Sequence, residues 1–248
     1  MSNAWNLTST QWAEVLLSGV KPEQIAKQIN ANAKSPRAAV LLRHIKDSHT
    51  ILDLGSGRGQ HSASIALAGK DTTLLDWSKE NLEFSQKLFE ASRLKARFCH
   101  ADMLQTLPFK DNAFDTVFSC GVFEYFSDDE IVIILKEAFR VAKKSVIIMI
   151  PNALSIAYRV GMWYQKMTGN WEWGGERPMA SLAPHYRKAG CNRITELTVG
   201  AKDSLHFLTM PCGRTMQNII SKTLKLSDHS ERVNFKQGYL LVSVGEKA

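Results

Sequence analysis

The chain has 248 residues, four scattered cysteines and a formal net charge of +7. This length suits one domain with a sizeable apolar core. The cysteines form no Cys-x-x-Cys pair, so we predict neither a metal site nor a disulfide framework. No segment approaches the roughly 20 apolar residues of a membrane-spanning helix. The first ten residues lack the features of a secretory signal, so we expect a cytoplasmic protein without a membrane span.

The basic residues are spread along the chain, with short pairs such as Lys143 and Lys144 or Arg187 and Lys188. A nucleic-acid-binding protein more often clusters its basic residues on one face and interleaves them with aromatic residues. Nucleic acid is therefore the weaker expectation for a partner. Two interpretations of the charge stay open, a solvated surface or the attraction of an acidic substrate.

Helical and strand patterns alternate along the chain, as a sheet with helices on both faces requires. Short helical patterns at Trp12 to Leu17 and Pro22 to Ile29 come first, and a third helix is predicted from Ser35 to Ile45. A capping box at Ser127 to Glu130 begins an amphipathic helix. Later strands are predicted at three places, Ser145 to Ile150, Arg193 to Val199 and Tyr239 to Val244.

Residues 51–59, ILDLGSGRG, place an acid and three glycines between a predicted strand and a helix that begins near His61. The glycines allow a sharp turn where side chains would collide, and the helix directs unpaired N–H groups at a ligand. Gln60 stands where the dinucleotide fingerprint needs its third glycine, and no Gly-Lys-Ser or Gly-Lys-Thr phosphate loop is present. The loop predicts a cofactor site of another kind.

Two further acids follow predicted strands. Asp76 ends the run from Thr73 to Leu75, and Asp102 follows Arg97 to Cys99. The carboxyl ends of neighbouring parallel strands face one crevice, where an acid can accept hydrogen bonds from ribose hydroxyls. Each acid alone could be a helix cap or a turn residue. Three acids at successive strand ends favour a ribose-containing cofactor.

These motifs resemble the class I S-adenosylmethionine-dependent methyltransferases, particularly the compact small-molecule members, over most of the chain. The resemblance implies an α/β fold with a doubly wound, mostly parallel seven-stranded sheet, which is Rossmann-like. It also implies S-adenosyl-L-methionine as cofactor and S-adenosyl-L-homocysteine as product. In such proteins the glycine loop holds the methionine moiety, the acid after the second strand binds ribose, and the residues after the second and third strands contact adenine. The implied cofactor-binding residues are Asp53, Gly55, Ser56, Gly57, Asp76, Trp77, Asp102, Met103, Ser119 and Cys120.

The chain departs from the family at two points. Many members carry Glu-His where this chain has Glu124 and Tyr125, so no histidine base is expected there. The candidate catalytic bases are Tyr125, Glu124, His185 and His206. Of these we predict Tyr125, by motif position, or His206, in a variable region. The usual glycine pair before the fifth strand is replaced by residues 142–144, Ala-Lys-Lys, which alters a turn.

Three regions lie outside the minimal sheet. Residues 1–34 are predicted to form a helical N-terminal lid, and residues 35–248 the methyltransferase domain with substrate-cap inserts at about 152–178 and 201–237. The first insert is rich in aromatic residues, which suit the lining of an organic-ligand pocket. Packing of the insert or dimerisation is the alternative. The predicted substrate-binding residues are Trp163, Tyr164, Trp171 and Trp173.

The predicted function is transfer of a methyl group from S-adenosylmethionine to an O or N atom of a small organic acceptor. The main requirement is alignment of the two reactants. An RNA or protein methyltransferase and a non-catalytic S-adenosylmethionine-binding module are the alternatives. We expect a monomer or a homodimer.

Overall fold

The structure is a computed structural model that describes residues 9–223 and 236–247. The first residues of the predicted lid and the end of the second insert, residues 1–8 and 224–235, lie outside the described residues. No helix within the described ranges is both long and apolar enough to cross a bilayer. The helices are α1 Ser9–Leu17, α2 Pro22–Asn32, α3 Pro36–His44, α4 Gln60–Leu67, α5 Lys79–Ala91, α6 Asp128–Val141, α7 Ile156–Met167, α8 Ala183–Lys188 and α9 Gly213–Thr223.

Seven strands form one sheet in the order β3-β2-β1-β4-β5-β7-β6. All neighbours are parallel except for β7, which is antiparallel to both β5 and β6. The predicted α/β, doubly wound and mostly parallel Rossmann-like sheet is therefore confirmed. The strand order reverses between β1 and β4, where a crevice opens at the carboxyl ends of the strands. The strands are β1 Thr50–Leu54, β2 Asp71–Asp76, β3 Arg97–His100, β4 Phe114–Cys120, β5 Ala142–Pro151, β6 Arg193–Val199 and β7 Leu240–Glu246.

The central strand β5 is apolar on both sides because helices cover both faces of the sheet. Its successive residues Ile147 and Ile148 belong to different core clusters, one with Leu41 of α3 and the other with Ile134 of α6. The continuous apolar run at Ser145 to Ile150 therefore indicates a fully buried strand, as predicted.

Helix α6 shows how local sequence and packing agree. The Ser127 hydroxyl accepts a hydrogen bond from the Glu130 amide at 3.4 Å, and the Glu130 carboxylate accepts one from the Ser127 amide at 2.8 Å, so the predicted capping box is present. The helix ends at Val141 and β5 begins at Ala142 without an intervening turn. The chain therefore has no position for the glycine pair that the family usually carries there.

The two N-terminal helices pack on the main domain. Ile25 and Ile29 of α2 join a core cluster with Leu74 of β2 and Leu82 of α5. Leu16 of α1 reaches the pocket described below. The predicted helices are confirmed, whereas a role as a lid stays a prediction.

We expect Ile134→Ala to lower the free energy of unfolding by about 2–5 kcal/mol, because this side chain is fully buried between α6 and the sheet. Ile133→Ala is the matched control on the same helix, since its side chain is 49% exposed, and should cost well under half as much. Urea unfolding monitored by circular dichroism would measure both values. Equal losses would contradict the assigned orientation of α6.

Candidate functional site

A pocket with a volume of about 340 Å³ opens at the carboxyl ends of the central strands. One end is formed by the loops after β1, β2 and β3. The other end is formed by the loop after β4, by the first insert and by the residues just before β7. This size lies within the usual range of small-molecule sites.

The glycine loop forms one wall and requires glycine for two different reasons. Gly55, Gly57 and Gly59 have φ angles of +75°, +49° and +70°, a backbone region that other residues rarely adopt. A Cβ at Gly55 would lie 2.8 Å from Val122, and one at Gly59 would lie 2.7 Å from Ser85, whereas one at Gly57 would make an ordinary contact with Leu16 at 3.6 Å. The predicted collisions therefore occur at the first and third glycines, and Gly57 is needed for its φ angle.

Asp76 at the end of β2 connects the loop to the sheet. Its Oδ2 accepts a hydrogen bond from the Gly57 amide at 2.8 Å, and its Oδ1 accepts bonds from the Ser78 amide at 2.9 Å and the Asn81 side chain at 3.3 Å. Burial raises the pKa of Asp76, and these hydrogen bonds oppose the shift. Asp76 also lines the pocket, so the structure brings it to the predicted place.

Two residues predicted to touch the cofactor lie behind the pocket wall. Asp53 is 4% exposed and accepts a hydrogen bond from the Ser62 hydroxyl at 2.8 Å, and burial raises its pKa to about 7. Ser119 is fully buried and donates to the Leu54 carbonyl at 2.6 Å. Successive strand residues face opposite sides of a sheet, so Cys120 lines the pocket and Ser119 does not. The structure therefore makes Asp53 and Ser119 supports of the loop.

The residues predicted for adenine lie together at the pocket. Trp77, Asp102 and Met103 all line it, and Trp77 is 37% exposed. Asp102 accepts a hydrogen bond from the Leu104 amide at 2.9 Å, which orients its carboxylate. The flat indole face and the exposed carboxylate fit a base and its amino group.

Ser56 supplies a polar atom that the protein leaves unsatisfied. Its hydroxyl oxygen is buried and has no hydrogen-bond partner among the described protein atoms, and Ser56 is one of the residues that line the pocket. Buried polar atoms normally have partners, so a ligand polar group is expected beside it. The Ser56 hydroxyl and the glycine backbone fit a polar ligand group, and Asp76 fits a ribose. Trp77 and Met103 fit the aromatic part of the same ligand.

The other end of the pocket contains two buried carboxyl groups. Glu124, in a 3-10 turn at Phe123–Tyr125, is 3% exposed, and Glu176 of the first insert is 6% exposed. Burial raises the pKa of both, to about 8 for Glu176, and the neighbouring Glu176 raises that of Glu124 further. The Tyr158 hydroxyl donates a hydrogen bond to Glu176. Glu124 Oε2 has no partner among the described protein atoms.

The two predicted catalytic bases have different positions. Tyr125 lines the pocket, but burial and the two glutamates raise the pKa of its phenol, so it stays protonated and is unsuited to act as a base. His206 lies in the 3-10 turn Asp203–Phe207, is exposed and does not line the pocket. Burial also raises the pKa of Cys120 to about 12, which excludes a reactive thiolate at neutral pH.

Of the four aromatic residues predicted for substrate binding, Trp173 lines the pocket. Trp163 is 62% exposed on α7, and Tyr164 of the same helix is not part of the lining. Trp171 instead packs against Tyr158 and Phe207, each at a ring-centroid distance of 6.3 Å. Trp171 therefore helps to hold the insert on the domain, which was the alternative interpretation.

The pocket residues that the sequence analysis did not predict include Arg37, His61, Glu176 and Tyr239. Burial and the Arg37 charge lower the pKa of His61 to about 4, so this histidine is neutral at pH 7. Glu176 follows the Gly174 and Gly175 pair in the aromatic insert. An acid at that position was the signal from which the sequence could have predicted it as a pocket residue. The others come from distant elements. In the described part of the chain, no group of three or more His, Cys, Asp and Glu residues could hold a metal ion.

Residues 51–145 match a family model described as a methyltransferase domain. This segment of the chain is therefore similar to a methyltransferase domain, in agreement with the predicted resemblance. The matched segment runs from β1 into β5 and contains the glycine loop, Asp76 and Asp102. None of the curated proteins matches this chain in sequence.

Solved structures show the same fold. A SAM-dependent methyltransferase from Archaeoglobus fulgidus has a TM-score of 0.59 at 15% identity, with 85% of this chain and 91% of that chain covered. Magnesium protoporphyrin IX methyltransferase from Synechocystis, with bound SAH, has a TM-score of 0.57 at 16% identity, with 99% and 97% covered. A possible histamine N-methyltransferase from Thermotoga maritima has a TM-score of 0.56 at 16% identity, with 95% and 100% covered.

Gly55→Ala should destabilise the methyltransferase more than Gly69→Ala. Both positions have positive φ angles, so both variants carry a strain of about 1–2 kcal/mol. Only Gly55 adds a steric clash, because nothing lies within 4 Å of a Cβ at Gly69. Thermal and urea unfolding would compare the variants, and equal destabilisation would contradict the crowding at Gly55.

Asp53→Asn should remove a pH dependence of stability. The pKa of Asp53 is raised from 3.8 to about 7 in the folded state, so the folded protein holds a proton that the unfolded chain has lost in this range. The contribution of the Asp53 carboxyl group to the free energy of unfolding is full below pH 3.8, and it is lost as the pH rises towards 7. We expect the wild-type free energy of unfolding to fall relative to the variant by up to about 1.4 kcal/mol per pH unit. Parallel curves between pH 4 and pH 7 would contradict this.

Proposed function

We propose that this methyltransferase transfers a methyl group from S-adenosyl-L-methionine to an O or N atom of a small organic acceptor. The observation that carries this proposal is the pocket, which joins the cofactor motifs at one end to buried carboxyl and aromatic groups at the other. When bound, the cofactor supplies a methyl group on a sulfonium centre. The protein's contribution is to align the acceptor with that group.

The cofactor residues follow from the geometry of the pocket. Asp76 would bind the ribose, because its carboxylate lines the pocket at the end of β2. Trp77, Asp102 and Met103 would bind adenine. The backbone at Gly55 to Gly57 and the unpartnered Ser56 hydroxyl would bind the methionine moiety.

A small acceptor is supported by the lining of the second end. Tyr125, Phe126, Trp173 and Tyr239 line the pocket together with the two carboxyl groups, and aromatic walls suit a compact organic molecule. Two structurally similar proteins carry small molecules in their names, histamine and magnesium protoporphyrin IX. The dispersed basic residues give less support to RNA.

Calorimetry tests the cofactor, and mass spectrometry tests the acceptor. S-adenosylmethionine should bind, and NAD should not. Tight NAD binding without S-adenosylmethionine binding would contradict the proposal. Incubation with a cell extract should then add one methylene mass to a small molecule. Modified RNA or protein instead would identify the alternative acceptor classes, and cofactor binding without any product would favour a non-catalytic module. Cytoplasmic location and a monomeric or homodimeric state stay predictions.

Asp76→Ala should weaken S-adenosylmethionine binding by about 1–3 kcal/mol, because ribose hydroxyls and the Gly57 amide would lose their acceptor. Asp71→Ala is the matched control, since Asp71 begins the same strand and pairs with Arg97 at 3.1 Å, away from the pocket. Isothermal titration calorimetry would measure both affinities. Unchanged affinity in Asp76→Ala would remove this residue from the cofactor site.

A further inference from the structure

We propose that the acceptor is a protonated amine whose ammonium group binds between the carboxyl groups of Glu124 and Glu176. This inference rests on the proposed methyltransferase function and names the substrate class of its pocket. It assigns Glu176, which no sequence motif identified, as the group that takes the amine's proton.

The first observation is the position of the two carboxyl groups. Glu124 comes from the turn after β4, and Glu176 comes from the insert after α7, yet both line the same pocket. The Arg177 amide donates a hydrogen bond to the Glu124 carbonyl at 3.1 Å, which holds the insert against the turn. Both side chains are more than nine-tenths buried. The fold therefore places two acids from distant segments at one end of the site.

The second observation is that the protein does not satisfy this pair. Glu124 Oε2 lacks a hydrogen-bond partner, as stated above, and Glu124 is one of the residues that line the pocket. Within residues 9–223 and 236–247, neither carboxyl group forms an ion pair with a lysine, arginine or histidine. Two buried carboxyl groups that lie close together need a proton or a cation between them. The raised pKa values show that a proton meets this need in the free protein, and a ligand cation can replace it.

The other ionisable groups around the pair do not supply that cation. Arg37 lies over the Tyr239 ring at 5.8 Å and approaches Asp203 at 3.9 Å. His61 is neutral near pH 7 because its pKa is lowered to about 4. Burial raises the pKa of the Cys120 thiol and of the Tyr125 and Tyr239 phenols, so these groups stay neutral. The fourth neighbour is Tyr158, whose hydroxyl donates to Glu176.

The aromatic walls suit the same ligand. Trp173, Tyr239 and Tyr125 line the space next to the carboxyl groups, and aromatic faces attract cations as well as apolar groups. An acceptor with an ammonium group on a short apolar or aromatic body would match both features. A carboxylate or phosphate ligand would be repelled by the two carboxyl groups if they are ionised. If they are protonated, its negative charge would have no positively charged partner there.

The pair also solves the chemical problem of an amine acceptor. An ammonium nitrogen has no lone pair, so it must lose a proton before it can attack. The Glu176 carboxylate takes that proton, which leaves a neutral amine and a carboxylic acid held by the Tyr158 hydroxyl. The freed lone pair can then form the N–C bond to the methyl group, and the electrons of the broken C–S bond stay on sulfur. The product ammonium carries the positive charge that the sulfonium has lost.

The test measures binding to the full-length protein saturated with S-adenosylhomocysteine. The probes are the isosteric pairs benzylamine and benzyl alcohol, and 2-phenylethylamine and 2-phenylethanol, with phenylacetate as the anionic probe. Titration calorimetry in two buffers of different ionisation enthalpy gives both the affinity and the protons released. We expect each amine to bind about tenfold or more tightly than its alcohol, and phenylacetate to bind more weakly still.

Proton release separates this site from a merely apolar pocket. Burial holds the pKa of Glu176 at about 8, so at pH 7 its carboxyl group is mostly protonated before binding. An ammonium group stabilises the carboxylate, so amine binding should release a proton, and affinity for amines should rise as the pH increases from 6 to 8. The alcohols should release none.

Glu176→Gln and Glu124→Gln each replace a carboxyl group that can ionise beside an ammonium group, with little change of shape. Each should weaken amine binding by about tenfold or more and leave alcohol binding unchanged, and each should reduce proton release. Glu172→Gln is the matched control, because Glu172 lies in the same insert but is exposed. It should bind amines as the wild type does.

Equal binding of amines and alcohols, or amine binding unaffected in both pocket variants, would overturn the proposal. Absence of amine binding by a protein that binds S-adenosylhomocysteine would also overturn it and would leave the methyltransferase function standing. Failure to bind S-adenosylhomocysteine would instead overturn the proposed function itself.

Discussion

The hydrogen bond from the Gly57 amide to the Asp76 carboxylate is the interaction on which the site depends. Two further bonds, from the Gly55 and Ser56 amides to the Leu75 carbonyl at 2.8 and 3.1 Å, attach the same loop to the end of β2. The loop can adopt its left-handed turns only because glycine occupies the required positions. These bonds hold it open as a wall of the pocket, and they bring the acid of β2 beside the backbone of the β1 loop.

The buried acids of this protein divide into two kinds. Burial raises the pKa of all four, Asp53, Asp76, Glu124 and Glu176. Asp53 and Asp76 accept hydrogen bonds from the protein that oppose this shift. Glu176 accepts a bond from the Tyr158 hydroxyl, whereas Glu124 Oε2 accepts none from the described protein atoms. A buried acid with partners stabilises a loop, whereas an acid that lacks a partner inside a pocket indicates a ligand group. The first kind lies at or behind the proposed cofactor end, and the second kind at the proposed acceptor end.

Much of the fold could be predicted because the signals are local. The apolar run in β5 and the capping box of α6 depend on residues close in sequence, and both are present in the structure. The loop glycines and Asp76 also lie within one β-α-β unit, so their meeting follows from the parallel sheet. The side to which a strand residue points is less evident from local pattern. Ser119 and Cys120 were both predicted at the cofactor, yet only Cys120 faces the pocket.

The sequence alone determined the sheet, the glycine loop and the acids at the ends of the strands, because periodicity and glycine spacing are properties of neighbouring residues. Only the tertiary structure decided the acceptor end. Glu124 meets Glu176 because the insert after β5 folds back over the turn after β4, and Arg37 and Tyr239 come from the start and the end of the domain. In the tertiary structure His206 also lies outside the pocket, and Trp171 packs against Tyr158. Contacts between segments so far apart arise from the packing of the insert on the sheet, and no local pattern encodes them.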